Sequence, residues 1–109
     1  MSAACVVLVT VPDEAVAERL AEALLGEQLA ACVNLLPGLR SIYRWQGKIE
    51  RSSEVQLIVK TRESRVDALI ERIGVLHPYD TPEILVLPVV AGGARYLAWI
   101  RAETSTQSP

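Results

Sequence analysis

Few side chains in this chain carry chemistry beyond simple charge, and they are scattered. There are two cysteines, Cys5 and Cys32, and one histidine, His77. A thiolate is a soft donor that favours copper(I), zinc and heavier ions, which makes Cys32 the best single metal candidate. The alternative is a small buried hydrophobe in a strand, a common fate of free cysteine. Cys5, inside Cys5-Val6-Val7-Leu8-Val9, reads as core. His77 could ligate a metal or move a proton, or cap a helix by bonding to a free carbonyl. Tyr79 and Glu83 flank it in His77-Pro78-Tyr79-Asp80-Thr81-Pro82-Glu83, so a rigid polar cluster is conceivable. One histidine and two isolated thiols do not make the tetrahedral set of a structural zinc site, so metal ligands would have to come from several copies of the chain.

Lys60 is expected to end a strand near the start of a helix, where its ammonium and free helix amides could hold an anion. Tyr43, Trp45, Tyr96 and Trp99 are either interface anchors or the lining of a cleft between subunits. Gly92-Gly93 lacks phosphate-loop spacing and reads as a turn. No nucleophile, base and orienting group stand together, so an enzyme is not expected.

These residues must be placed by a small number of elements. Ala30 to Lys60 reads as one long β-hairpin turning near Gln46-Gly47. Leu39, Ser41, Tyr43 and Trp45 alternate with Arg40, Ile42 and Arg44, and Val55, Leu57 and Val59 alternate with Glu54, Gln56, Ile58 and Lys60. Pro37-Gly38 predicts a bulge within the incoming strand rather than its end. About seven residues beyond it, at roughly 3.3 Å each, would carry the tip some 23 Å from the sheet.

Before the hairpin come a buried strand, Cys5 to Val9, and a helix. Pro12, Asp13 and Glu14 open that helix, Val16, Leu20, Ala23 and Leu24 form its apolar stripe, and it fades at Gly26 to Gln28. After the hairpin, a second helix carries Val66, Leu69, Ile70 and Ile73; Thr61 or Ser64 starts it, and Gly74 with His77-Pro78 ends it. Ile84 to Leu87 is a strand apolar on both faces, and Pro88 places it at an edge or marks its end. A short helix with Tyr96, Leu97, Trp99 and Ile100 follows, leaving a single domain over residues 1–103 and a polar, disordered tail over 104–109.

The order β-α-β-β-α-β is the ferredoxin-like, split βαβ arrangement of the α+β class, with one helix appended. Both main helices lie on one face of its four-stranded sheet. The first and last strands are apolar on both faces, and an exposed apolar patch of several hundred square ångströms seldom stays uncovered in a soluble monomer. Self-association is therefore expected.

Composition narrows the partners. Eleven Lys and Arg against thirteen Asp and Glu give a net charge of −2 with no basic run, which argues against nucleic acid and against a polybasic membrane patch. No apolar run approaches a membrane span, and no targeting segment is expected before the first strand. Two thiols without CxxC spacing suit a reducing compartment, so a cytoplasmic location is expected.

The sequence resembles the CutA family, the divalent-cation tolerance proteins, from Val6 to Arg101. The matching pieces are Ala30-Ala31-Cys32-Val33-Asn34, Ser41-Ile42-Tyr43-Arg44-Trp45-Gln46-Gly47-Lys48, Lys60-Thr61, His77-Pro78-Tyr79 with Pro82-Glu83, and Tyr96 with Trp99. The resemblance implies a ferredoxin-like subunit in a homotrimer, with long hairpin strands pairing between neighbours, and a link to copper and other divalent metals. Cys32, His77 and Glu83 are the metal candidates. A trimeric plan similar to that of PII-type signalling proteins implies an alternative, a regulatory module taking an anionic ligand in an intersubunit cleft lined by Trp45, Lys60, Tyr79 and Glu83. Tyr43, Trp45, Tyr96 and Trp99 are the interface candidates, and a purely structural trimer is a third reading. No cofactor is expected to be obligatory.

Overall fold

The computed structural model describes residues 3–105. Its elements run β1 (Ala4–Val11), α1 (Glu14–Gly26), β2 (Cys32–Trp45), β3 (Lys48–Arg62), α2 (Val66–Leu76), β4 (Ile84–Pro88) and α3 (Ala94–Glu103), with a single 3₁₀ turn, Glu63–Arg65, before α2. The strands form one sheet in the order β2-β3-β1-β4, and every neighbouring pair is antiparallel. This is the ferredoxin-like architecture expected from the element order. Pro88 closes β4, an edge strand, where its missing N–H breaks no ladder.

The register divides each strand into two sets of side chains. On the covered face Val7, Val9, Val11, Val55, Leu57 and Val59 pack against Val16, Leu20 and Leu24 of α1 and Leu69 and Ile73 of α2. Each fully buried aliphatic side chain contributes roughly 1.5–3 kcal/mol relative to exposure. Two positions expected in the helix stripes differ: Ala21 rather than Ala23 is buried in α1, and Ile70 of α2 is 38% exposed while Leu76 packs on the core.

The helix starts also differ from the sequence reading. Asp13 is the N-cap of α1, its side chain accepting from the Val16 amide at 2.9 Å, so Pro12 lies outside the helix. The second helix has no side-chain cap. Thr61 belongs to β3 and its hydroxyl donates to the buried Leu29 carbonyl at 2.7 Å, fastening the α1–β2 loop to the sheet. Gly74 lies inside α2, which continues to Leu76 and takes His77 as its C-cap.

The hairpin is as long as the alternation predicts. Trp45 pairs with Lys48 across a two-residue turn in which Gln46 (φ 49°) and Gly47 (φ 79°) are both left-handed, the twist that a tight hairpin demands. Pro37 and Gly38 form a bulge between the Leu36–Gln56 and Leu39–Glu54 pairs, with Gly38 at φ 80°. The extra residue reverses the parity of β2. Even-numbered residues before the bulge and odd-numbered ones after it share the face of Gln56, Ile58 and Lys60, which puts Cys32 and Asn34 on the same side as Tyr43 and Trp45. The projecting hairpin stretches the molecule to 47 × 29 × 22 Å.

The other face of the sheet is covered only at one end. There Ile100 and Leu97 of α3 pack on Ala4, Ala31 and Val89. Arg62 donates to the Thr104 carbonyl at 3.0 Å, and the Thr104 hydroxyl donates to Ile100 at 2.7 Å. Thr104 is fully buried, so the polar tail does not begin there; its residues 106–109 lie outside the described residues. Over the rest of this face Leu36, Leu85 and Leu87 are 46–54% exposed.

Candidate functional site

The predicted site residues fall into two places on the open face. The first surrounds Cys32, at the start of β2. Cys32 pairs with Lys60, and Lys60 pairs in turn with Val6 of β1. The Lys60 ammonium donates to Asn34 Oδ1 and stands 3.9 Å from the Cys32 Sγ. Tyr96 of α3 comes over the same thiol; its phenol is raised above the ordinary value by burial, and then by the charge of and hydrogen bond to Cys32. Tyr96 stacks with Trp99, ring centroids 5.5 Å apart. Lys60 is thus a sheet residue, not an anion-binding group at a helix start: β3 continues to Arg62 and a 3₁₀ turn intervenes before α2.

The second place is a cleft of about 420 Å³ along the projecting part of the hairpin. Trp45, Tyr79 and Glu83 meet there with Tyr43, Glu54 and Asp80, and Thr10, Ser41 and Thr81 complete the wall. The bulge explains why Tyr43 and Trp45 face it, and the rigid His77–Glu83 segment carries Tyr79, Asp80 and Glu83 across from them. Lys60 is not among the lining residues. The Tyr79 hydroxyl donates to Glu54 Oε2 at 2.8 Å. Burial, and after it the Glu54 hydrogen bond and charge, pushes the Tyr79 phenol from 10.0 to about 12. Glu54, which sequence reasoning treated only as an outward strand residue, is 9% exposed and central to the cleft. A carboxylate directly before the buried run Val55, Leu57 and Val59 was the available signal.

His77 positions this wall. Its Nε2 lies 2.7 Å from the Thr10 carbonyl and its Nδ1 3.1 Å from the Tyr79 amide. A carbonyl only accepts and an amide N–H only donates, so Nε2 carries the proton and the Nδ1 lone pair is occupied. Both nitrogens are therefore spoken for, and His77 is 7% exposed. Thr10 is also four residues along β1 from Val6, about 13 Å at the rise of a strand, which separates His77 from Cys32. Cys32, His77 and Glu83 do not converge within one chain, and among the described residues no group of three or more His, Cys, Asp or Glu is placed to hold a metal ion. Likewise, the four aromatic residues form two groups, Tyr43 with Trp45 in the cleft and Tyr96 with Trp99 on α3.

The family described as CutA1 divalent ion tolerance protein matches residues 5–103. The chain belongs to this family. It is 54% identical over 99 residues to the divalent-cation tolerance protein CutA of Pectobacterium atrosepticum, covering 91% of this chain and 90% of that one. With the protein of the same name from Thermus thermophilus it shares 52% identity over 91% of this chain and 96% of the relative. Solved structures agree with the family assignment. CutA1 from Oryza sativa superposes with a TM-score of 0.94 at 44% identity, covering 97% of each chain. The Thermus thermophilus protein gives 0.92 at 51% identity, covering 94% and 99%.

Proposed function

We propose that the chain is a homotrimeric, non-enzymatic divalent-cation tolerance protein of the cytoplasm, which takes up copper or a related soft ion at sites shared between copies, with Cys32 as the thiolate ligand. The observation that carries this reading is the open sheet face. Half-buried Cys32 lies on it beside Asn34 and Lys60, and exposed Leu85 and Leu87 share the same face on the opposite edge strand; a neighbouring copy would bury the apolar area and bring further donors to the thiol. Among the described residues one chain alone gathers no ligand set, which is consistent with a shared site. The relatives' name supports a role toward divalent cations. Two free cysteines suit a reducing compartment. His77, held at both nitrogens, is no free base, which favours binding over catalysis.

Native mass spectrometry of the reduced protein under anaerobic conditions, titrated with copper(I) and with zinc, tests the proposal. A trimer with saturable uptake that disappears in Cys32→Ser is expected. Unchanged uptake in Cys32→Ser would remove the thiol from the site.

A second reading, a regulatory module with a small ligand in its cleft, is favoured by one observation: Trp45, Tyr79 and Glu83 do line a common cavity. Lys60 is not part of that cavity within one chain.

A further inference from the structure

The bulge at Pro37-Gly38 gives the projecting part of the hairpin two unlike sides. Tyr43 and Trp45 look toward the cleft, whereas Arg40, Ile42 and Arg44 alternate with them on the outer side, which continues the helix-covered face of the sheet but has no helix over it. Across the ladder Arg40 pairs with Ser53, Ile42 with Arg51 and Arg44 with Ile49, and directly opposed residues share a face. The outer side therefore carries three arginines and two isoleucines but no carboxylate, because Glu50 and Glu54 pair with Tyr43 and Leu39 on the cleft side. Ile42 and Ile49 are 62% and 65% exposed.

The complement of this surface is on α1. Glu14, Glu18 and Glu22 recur every four residues, so they form one exposed stripe along the helix. Leu25, itself exposed, continues that flank two turns beyond Glu18. The two sets match in pitch. On the hairpin Arg44, Arg51 and Arg40 stand at successive cross-strand levels, about 7 Å apart at the rise of two strand residues. On α1 the carboxylates stand about 6 Å apart at the rise of four helix residues. Among the described residues the salt bridge is Arg72–Glu27, and none of these six charged side chains takes part in one. Isolated exposed ion pairs contribute little. Here three would act together with two exposed isoleucines, so that docking removes apolar area as well as pairing charge.

We infer that the outer side of the hairpin docks on the Glu14, Glu18 and Glu22 stripe of α1 in a second copy of the chain. Arg40, Arg44 and Arg51 pair with the three carboxylates, and Ile42 and Ile49 lie against the helix beside Leu25. The two patches are different surfaces, so the contact is head-to-tail, and a three-fold rotation closes it into a ring. The contact rests on the homotrimer reading and deepens it: it gives the projecting hairpin a partner distinct from the open sheet face and from Cys32.

Subunit exchange between unlabelled and isotopically labelled protein, followed by native mass spectrometry, tests this contact. The parent is expected as a trimer that exchanges slowly, and faster as salt is raised, because exposed pairs are screened. Arg40→Glu/Arg44→Glu/Arg51→Glu alters exposed side chains only; its far-ultraviolet circular dichroism should match the parent's, and its exchange should be at least about ten-fold faster. Adding Glu14→Arg/Glu18→Arg/Glu22→Arg to the same chain reverses both partners and should return the rate to within about three-fold of the parent's. Exchange of the arginine variant at the parent's rate would overturn the inference while leaving the trimer in place. So would a doubly reversed chain that exchanges no more slowly than the arginine variant. A monomeric parent would instead overturn the homotrimer reading, and this contact with it.

Discussion

On β3, Val55, Leu57 and Val59 are at most 4% exposed, whereas Gln56, Ile58 and Lys60, one step out of phase, remain half-buried. The same contrast runs through β1, where Val7 and Val9 are fully buried and Val6 and Leu8 are not. The covered face is closed by the chain's own helices. The open face has only α3 over one end, and on β1 and β4 it is nearly as apolar, with Val6, Leu8, Leu85 and Leu87, whereas on β2 and β3 it carries Asn34, Gln56 and Lys60. Strands β1 and β4, apolar on both sides, thus divide into a face that serves stability within one chain and a face whose apolar content makes sense against other copies.

Substitutions on the two faces should separate accordingly. Leu57→Ala, on the covered face, is expected to destabilise by about 2–5 kcal/mol, measured by urea unfolding, because it leaves a cavity among rigidly packed neighbours. Leu85→Glu/Leu87→Glu, on the open face, should leave the far-ultraviolet circular dichroism of the chain intact but shift it to a smaller assembly in sedimentation. Equal loss of fold from both would erase the distinction between the faces.

Tyr79 sharpens the comparison at the cleft. Its phenol, neutral when protonated, has a higher pKa folded than unfolded, so its contribution to stability is complete below about 10 and is lost as the pH rises toward about 12. Phenolate absorbance should show one tyrosine titrating near 12, and Glu54→Gln should lower that midpoint. A midpoint unmoved by Glu54→Gln would break the proposed coupling between them. The smallest effect is expected at Gly38, where an added Cβ meets open space and only the backbone at φ 80° resists: Gly38→Ala should cost about 1 kcal/mol.

Elements with local signals were legible in the sequence. The two-residue period of β2 and β3, the Gln46-Gly47 turn and the Pro37-Gly38 bulge each depend on a few neighbouring residues, and they lead to the fold. The bulge is also what makes the shared face of Cys32 and Trp45 deducible. Places where distant segments meet were not legible. Thr61 resembles a helix cap until the Leu29 carbonyl is known to lie beside it. His77 looks like an available ligand until the Thr10 carbonyl occupies Nε2 and the Tyr79 amide occupies Nδ1. Lys60 was placed at a helix start because β3 was read as ending there, whereas the strand runs two residues further, to Arg62. Glu54 was overlooked because alternation alone assigns an even-numbered β3 residue to the open face and says nothing of the Tyr79 loop that buries it.

Other copies of the chain are expected to cover the open face. Sedimentation equilibrium of the reduced protein over a wide concentration range tests that claim most directly. The predicted result is a single species of three times the 11.9 kDa chain mass, stable to dilution. A species of 11.9 kDa that stays monomeric at high concentration would contradict the claim and leave the apolar face of β1 and β4 without a purpose in self-assembly.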